Sequence, residues 1–186
     1  MRNLQIEKIT VPFQGELLTR WKERDPLVVP EYALKWNGKG VSNGFGFGEW
    51  LAEEFFRNQG YYIINDEFDL FSKNSKYKVY NDIISLIVGK EKIEIFRRVA
   101  RVLYEDGYKI ENLDLFIFDR NSFLFAEAKK GKDCLREPQL RFMYLAKEIL
   151  DADCKLVYLS EVENETRIET LNFQVNLPEN FYDFLP

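Results

Sequence analysis

The chain has 186 residues, of which 46% are hydrophobic and 16% aromatic, and its formal net charge is −5. This is the composition of a folded globular protein rather than of a disordered one. The chain has no histidine, which excludes Ser-His-Asp and Cys-His nucleophilic catalysis and HExxH metal sites.

The sequence contains no feature that directs a protein to a membrane or an oxidising compartment. No stretch approaches the ~18 consecutive apolar residues of a membrane helix, and the first eight residues lack the apolar core of a signal peptide. Cys134 and Cys154 are too few for a disulfide framework or a zinc site. We therefore expect a cytoplasmic protein without membrane contact.

Charge is distributed unevenly along the chain. Residues 72–109 contain nine basic and five acidic residues, whereas residues 148–186 contain two basic and nine acidic residues. One interpretation is a solvated surface with random charge blocks. The other is a basic face for phosphate groups, with an acidic tail that points away from it.

The first third of the chain has little regular periodicity. Prolines and turn-like Gly and Asn stretches over residues 1–44 predict short strands and loops that wrap the core. An apolar stripe closed by Gly60 predicts a helix over 48–59. A strand over 61–64 and a polar loop over 66–78 follow.

The middle of the chain combines helices with a hairpin. Apolar residues at helical spacing predict helices over 79–88 and 90–106. Two runs of β-forming residues, 113–118 and 122–128, are separated by a short polar segment and predict a hairpin.

The last third predicts one helix and two strands. Pro138 suits the first turn of a helix that runs to Leu150. A core strand over 155–160 and an edge strand over 166–175 follow, and the tail from Leu177 has no clear pattern. The element order predicts an α/β fold with a mixed β-sheet flanked by helices.

Three charged residues converge at the end of the predicted hairpin. Glu127 and Lys129 are two apart on one strand and therefore face the same side. Asp114 begins the partner strand, so it lies opposite the end of the other. Two converging carboxylates repel unless a cation joins them, and oxygen ligands suit Mg²⁺ or Mn²⁺. Lys129 can orient an attacking water or neutralise developing charge.

A simpler explanation stands beside this one. The Asp-x₁₂-Glu-x-Lys spacing arises by chance, and the charges can form a surface ion pair that contributes little. However, Glu127 follows an apolar strand, Phe123–Ala126, that we expect to be central. Charges at the end of a buried strand are costly unless they are paired, which favours a functional site.

The segment from Asn112 to Phe118, followed by Phe125-Ala-Glu-Ala-Lys129, resembles the core of the PD-(D/E)XK nuclease superfamily. The spacing of Glu127, Lys129, Asp133, Leu135 and Gln139 is similar to that of its VRR-NUC branch. Leu113 stands where members often have proline. The resemblance implies a restriction-endonuclease-like fold and makes Gln139 a site residue in the first turn of its helix.

The resemblance also implies an acidic residue from the first helix. Glu49 fits, because Gly48-Glu49-Trp50 and the later Gly60-Tyr61 are similar to the first helix and strand entry of archaeal Holliday-junction resolvases. Glu53 lies one turn later on the same helix face and competes with Glu49 for this role. An exposed structural glutamate is the alternative for either position.

The resemblance implies a metal-dependent nuclease that hydrolyses DNA phosphodiester bonds with Mg²⁺ or Mn²⁺. The expected metal ligands are Asp114, Glu127, the Ala128 carbonyl and Glu49, while Lys129 positions water. Basic residues near this centre are candidates for phosphate contact: Lys130, Lys132, Arg136 and Arg141. Arg97, Arg98 and Arg101 on the second predicted helix of the middle region are weaker candidates.

We expect a single nuclease-like domain over 1–186. We also expect that a homodimer or a protein partner would help such a small chain to select its DNA. Its predicted parts are an N-terminal wrap over 1–44, a mostly helical insertion over 66–109, a catalytic core over 112–160 and an acidic extension over 161–186. The resemblance implies repair, recombination or mobile-element contexts with branched or flapped DNA. The main alternative is a degenerate member that binds nucleic acid or protein without cutting.

Overall fold

The structure is a computed structural model that describes residues 1–34, 39–65 and 67–184. Its α-helices are α1 (Gly15–Lys22), α2 (Glu31–Leu34), α3 (Lys39–Ser42), α4 (Phe47–Arg57), α5 (Lys78–Val88), α6 (Lys90–Glu105) and α7 (Glu137–Leu150). Its strands are β1 (Arg2–Pro12), β2 (Tyr62–Asn65), β3 (Leu115–Phe118), β4 (Phe123–Lys130), β5 (Asp153–Ser160) and β6 (Arg167–Val175). Short 3₁₀ turns cover Ser75–Tyr77 and Phe181–Phe184.

The six described strands form one mixed sheet in the order β2-β3-β4-β5-β1-β6. Strand β5 is parallel to both β4 and β1, whereas the other three pairings are antiparallel. The predicted α/β fold with a mixed sheet between helices is therefore confirmed.

Helices cover both faces of the sheet. Helices α5, α6 and α7 pack on one face, where Phe96, Phe116, Phe125 and Phe142 are fully buried. Helices α1 to α4 pack on the other face, around Trp21 and smaller apolar side chains. Among the described helices, none has the length and apolar character needed to cross a bilayer.

Most predicted elements after residue 47 occur within a few residues of their expected bounds. Helix α4 ends at Arg57, and Gly60 follows with the left-handed φ of +89° that the predicted helix stop requires. The hairpin of β3 and β4 is antiparallel, with Leu115 opposite Ala126. Asp114 lies just before β3 instead of within it, and β4 continues through Lys129 to Lys130.

The prediction of an N-terminal wrap made of short strands and loops is wrong. Residues 2–12 form an 11-residue strand, β1, inserted between β5 and β6, and helices follow it. The burial of β1 changes face along its length: Leu4 and Ile6 pack on one side of the sheet, Ile9 and Val11 on the other. The buried apolar residues are therefore even-numbered in the first half of β1 and odd-numbered in the second half. A search for one continuous alternation of apolar and polar residues misses such a strand.

A few predicted features fall on residues outside the described part of the chain. These are Asn37 and Gly38 of a turn-like stretch, Asp66 at the start of the predicted loop and insertion, and the last two residues of the acidic extension. Gly44 and Gly46 have left-handed φ values of +83° and +78° in the turn that leads into α4, and Gly46 is the N-cap of that helix.

The position of β1 gives a stability prediction. Ile9 is 4% exposed and pairs with Ile168 of β6, which is 65% exposed. Ile9→Ala should lower the free energy of unfolding by about 2–5 kcal/mol, because it leaves a cavity in the core. Ile168→Ala is the matched control and should change it by less than about 0.5 kcal/mol. Urea unfolding measures both, and equal effects would contradict an interior β1.

Candidate active site

The end of the β3–β4 hairpin brings Asp114, Glu127 and Lys129 together. The Ala128 N–H donates to Asp114 Oδ2 at 2.9 Å, so the Asp114 carboxylate takes the place of a strand carbonyl just before β3. Lys129 Nζ lies 2.9 Å from Glu127 Oε1. The convergence expected from the spacing is therefore present in the structure.

The two carboxylate oxygens of Glu127 have very different surroundings. Oε1 accepts hydrogen bonds from Lys129 Nζ and from Gln139 Nε2. Oε2 is buried and has no hydrogen-bond partner among the described residues, although the backbone N–H of Asp114 acts on this carboxyl and lowers its pKa. The residue as a whole is 2% exposed. A buried carboxylate oxygen without a partner carries a desolvation cost that a bound cation would remove.

Gln139 holds Glu127 in this orientation. It lies in the first turn of α7, is 1% exposed, and its Oε1 accepts the N–H of Arg136 at 3.0 Å. Because an N–H needs an acceptor, that contact fixes the carboxamide with its NH₂ group towards Glu127. Gln139 is thus a helix-capping residue and a positioning residue at once, and it is not a solvated helix residue.

Burial and the charges of the neighbouring side chains shift the pKa values of all three residues of the cluster. Burial raises the pKa of Asp114 well above its ordinary value of 3.8, and the negative charge of Glu127 raises it further. Burial also raises the pKa of Glu127, against the hydrogen bond and charge of Lys129. Burial lowers the pKa of Lys129, but its interactions with Glu127 outweigh this, so that pKa rises above 10.5. Lys129 is therefore a cation at neutral pH.

The structure separates the two candidate glutamates of α4. Glu53 is 6% exposed and is fully engaged, since its Oε1 accepts Arg57 Nε and its Oε2 accepts Asn65 Nδ2, both at 2.7 Å. Glu49 is half-buried, and its negative charge contributes to the raised pKa of Asp114. The hydrogen bonds of Glu53 give it a structural role, whereas the charge of Glu49 acts on Asp114, so Glu49 stays the candidate acidic residue of α4.

The donor set fits a hard divalent cation held by few protein ligands. Over residues 1–34, 39–65 and 67–184 no group of three or more Cys, Asp or Glu side chains is arranged to hold a metal ion. Magnesium is commonly held by one or two carboxylates with waters and substrate phosphate. The free Glu127 Oε2 beside Asp114 supplies such a pair. The Ala128 N–H points towards Asp114 and β3, and the carbonyl of a strand residue points to the same side as its N–H. The Ala128 carbonyl is therefore directed towards the same edge of the strand.

Three of the four predicted phosphate contacts have accessible positions. Lys132 is exposed in the turn after β4, and Arg136 is exposed at the start of α7, where it lies 3.1 Å from Glu111. Lys130 projects to the opposite face of the sheet from Glu127, with its Nζ 5.3 Å from the ring centroid of Phe47. Lys132 and Arg136 are thus accessible beyond the end of β4, whereas Lys130 lies on the other face of the sheet.

Arg141 does not suit the predicted phosphate contact. It is only 9% exposed, and its Nε and Nη1 donate to the carbonyls of Asn176 and Lys109, each at 2.9 Å. Its Nη2 lies 3.6 Å from Glu137. The guanidinium ties α7 to two chain segments, so we correct its role to a structural one.

Two neighbours of the site were not assigned a role from the sequence. Asp133 lies 3.4 Å from Lys129 Nζ, an i,i+4 relation that the sequence displays. Lys22 approaches Lys130 beside Gly44, where a Cβ atom would come within 3.4 Å of the Lys22 side chain. Burial and the positive charge of Lys22 lower the pKa of Lys130. Nothing local in the sequence links residues so far apart.

Comparison of the chain with protein-family models, curated proteins and solved structures found no match. The relationship to PD-(D/E)XK nucleases therefore stays a prediction that depends on the residues of the motif.

The raised pKa of Asp114 leads to a prediction for the metal-free protein. The folded state holds this proton more tightly than the unfolded state, so stability falls as pH rises from about 3.8 through the folded pKa. Asp114→Asn removes the charge and keeps an oxygen for the Ala128 N–H. The variant should melt at a higher temperature than wild type at pH 8, and the gap should shrink towards pH 4.

Thermal unfolding in EDTA measures this difference, with about 2–4 °C expected for each kcal/mol in a chain of this size. Asp106→Asn, at the exposed end of α6, is the control and should shift the melting temperature little at either pH. A loss of stability in Asp114→Asn at pH 8 would contradict an unfavourable carboxylate pair.

Proposed function

We propose that the chain is a metal-dependent nuclease that hydrolyses DNA phosphodiester bonds on a restriction-endonuclease-like fold. The observation that carries the proposal is the buried Glu127 Oε2, which has no hydrogen-bond partner in the described part of the chain and lies near the Asp114 carboxylate. A protein retains such a pair at a cost to stability, and clusters of perturbed titratable groups are typical of functional sites. The motif resemblance supplies the reaction class.

Asp114 and Glu127 would hold Mg²⁺ or Mn²⁺, with the Ala128 carbonyl as a further ligand and Glu49 acting directly or through water. When bound, the ion would acidify a water molecule and neutralise charge on the phosphate. Asp114 stays aligned because the Ala128 N–H holds one of its oxygens. Gln139 and Lys129 hold Glu127 Oε1, which leaves Oε2 to face the ion.

Lys129 has the role of an electrostatic and orienting group. Lys129 is 6% exposed, its ammonium contacts Glu127 and Asp133, and its pKa is raised, so the amine keeps its proton at neutral pH. A protonated amine donates hydrogen bonds and cannot act as a general base. We infer that Lys129 positions the nucleophilic water and stabilises negative charge on the phosphoryl oxygens in the transition state.

Lys130, Lys132 and Arg136 would contact the DNA backbone around this centre. Branched or flapped DNA, as in repair, recombination or mobile-element biology, is the substrate that the family resemblance favours. A homodimer or protein partner would supply selectivity for DNA beyond what this chain provides. A degenerate protein that binds without cutting is the alternative, and the following experiment separates the two.

Wild type should cleave at least one of four DNA substrates (linear, nicked, flapped and four-way) with Mg²⁺ or Mn²⁺ present. Lys129→Ala should lower the rate by roughly 10²–10³-fold, the cost of removing one preorganised donor. Asp114→Ala should abolish cleavage because it removes a metal ligand. Lys90→Ala and Asp106→Ala change exposed residues of the same types on α6 and should cleave as wild type does. Equal activity in wild type and Asp114→Ala would favour the binding protein.

The two glutamates of α4 should respond differently to substitution. Glu49→Ala should weaken Mn²⁺ binding, measured by calorimetry with DNA present, with little change in melting temperature. Glu53→Ala should lower the free energy of unfolding by about 1–3 kcal/mol, because Arg57 and Asn65 lose their acceptor, and leave Mn²⁺ affinity unchanged. The reverse pattern would move the metal role to Glu53.

A further inference from the structure

A cleft of about 700 Å³ lies in the helical region between β2 and β3, and we refer to it as the insertion cleft. Its walls are the loop over 70–75, helices α5 and α6, and residues 109–110. This volume lies within the ~300–1,000 Å³ range of small-molecule and cofactor sites. The residues assigned to the active site do not line it.

The insertion cleft is positively charged although the chain as a whole is acidic. Among its described lining residues one is acidic, Asp82, and that carboxylate is paired with Lys78. The basic lining residues are Lys73, Lys78, Arg97, Arg101 and Lys109. A concave surface lined by one sign of charge concentrates the opposite charge, so the cleft suits an anionic ligand.

One face of α6 combines the charges with an aromatic ring. Arg97, Arg101 and Tyr104 follow each other at i, i+4 and i+7 and line the cleft together, with Ala100 between them. Tyr104 is 67% exposed, so its ring is free to stack on a planar group. Basic side chains beside an exposed aromatic ring are the combination that binds unpaired nucleotides, because base stacking accompanies phosphate contact.

Part of this surface is preorganised. Arg97 Nε donates to the Leu70 carbonyl at 2.6 Å, which leaves its two Nη groups without a partner among the described residues. Asn81 Nδ2 donates to the Asp69 carbonyl at 2.7 Å and so fixes the loop against α5. A ligand therefore meets a formed wall rather than a loop that must first be ordered.

The insertion cleft and the active site are joined by a short segment of chain. Lys109 in the cleft and Asp114 in the active site are five residues apart, which limits their Cα separation to about 18 Å. At the ~3.4 Å rise per nucleotide of stacked DNA this distance spans at most about five nucleotides, and an extended single strand would span it with fewer. Asn112 anchors the segment, since its Nδ2 donates to the Phe68 carbonyl at 3.4 Å and to the Leu113 carbonyl at 2.9 Å.

We propose that the insertion cleft binds nucleotides of a single DNA strand, with Arg97 and Arg101 on phosphates and Tyr104 stacked on a base. The choice of nucleic acid over other polyanions rests on the proposed nuclease function. A single strand offers free base faces to Tyr104, which a paired duplex does not. The cleft would hold the unpaired arm of a substrate whose phosphodiester bond lies at Asp114 and Glu127.

Fluorescence anisotropy with labelled (dT)₁₀ in EDTA tests binding without cleavage. Arg101→Glu should raise the dissociation constant by roughly tenfold or more, because a phosphate contact becomes repulsive. Tyr104→Ala should raise it by about fivefold or more through loss of stacking. Arg98→Glu is the matched control: it is exposed on the same helix, does not line the cleft, and should bind as wild type does.

The outcomes separate this inference from the proposed function. Wild type that binds (dT)₁₀ through Arg101 and Tyr104 but cuts no DNA supports the cleft and rejects the nuclease. Wild type that cuts DNA, while Arg101→Glu and Arg98→Glu bind alike, rejects the cleft. Thymidine monophosphate or polyglutamate that binds as tightly as (dT)₁₀ also overturns it. Lys109→Glu applies the same binding test to a basic residue of the cleft that lies outside α6, on a separate segment, and it should likewise raise the dissociation constant for (dT)₁₀.

Discussion

The unequal surroundings of the two Glu127 oxygens are the constraint on which the rest of the site depends. One oxygen receives Lys129 and Gln139, whereas the other is buried and has no hydrogen-bond partner over residues 1–34, 39–65 and 67–184. A surface carboxylate would meet its hydrogen-bonding need with water at no cost, but a buried one cannot. The fold therefore has to place the first turn of α7 against the end of β4, because only there can the Gln139 carboxamide reach Glu127.

The aromatic core offsets the cost of holding charge at this position. Phe125 lies two residues before Glu127 on the same face of β4, and its ring packs edge-on against Phe142 of α7 with centroids 5.1 Å apart. Phe142 in turn contacts Phe96 of α6 at 5.3 Å. One turn of α7 thus supplies Gln139 to the site and Phe142 to the core. Packing enforces the register between β4 and α7, and the polar contacts at their ends follow from it.

Local patterns predicted the hairpin, helices α4 to α7 and the convergence of Asp114 with Glu127, because these depend on periodicity and on residues close in sequence. Features that depend on distant contacts were missed. Strand β1 was hidden because its burial switches faces between Ile6 and Ile9. Arg141 belongs to a basic run in the sequence, yet its guanidinium is occupied by distant carbonyls. The sequence displays charge, but only tertiary structure shows whether that charge is free.

The two glutamates of α4 differ in their burial and in their hydrogen bonds. Glu53 is the more buried of the pair, but Arg57 and Asn65 donate hydrogen bonds to both of its oxygens, so its burial is already compensated within the protein. Glu49 is less buried and acts on Asp114 through its charge. Burial alone would select Glu53 rather than Glu49. The same criterion selects Glu127 over the satisfied carboxylates, since none of the described residues meets the hydrogen-bonding need of its buried Oε2.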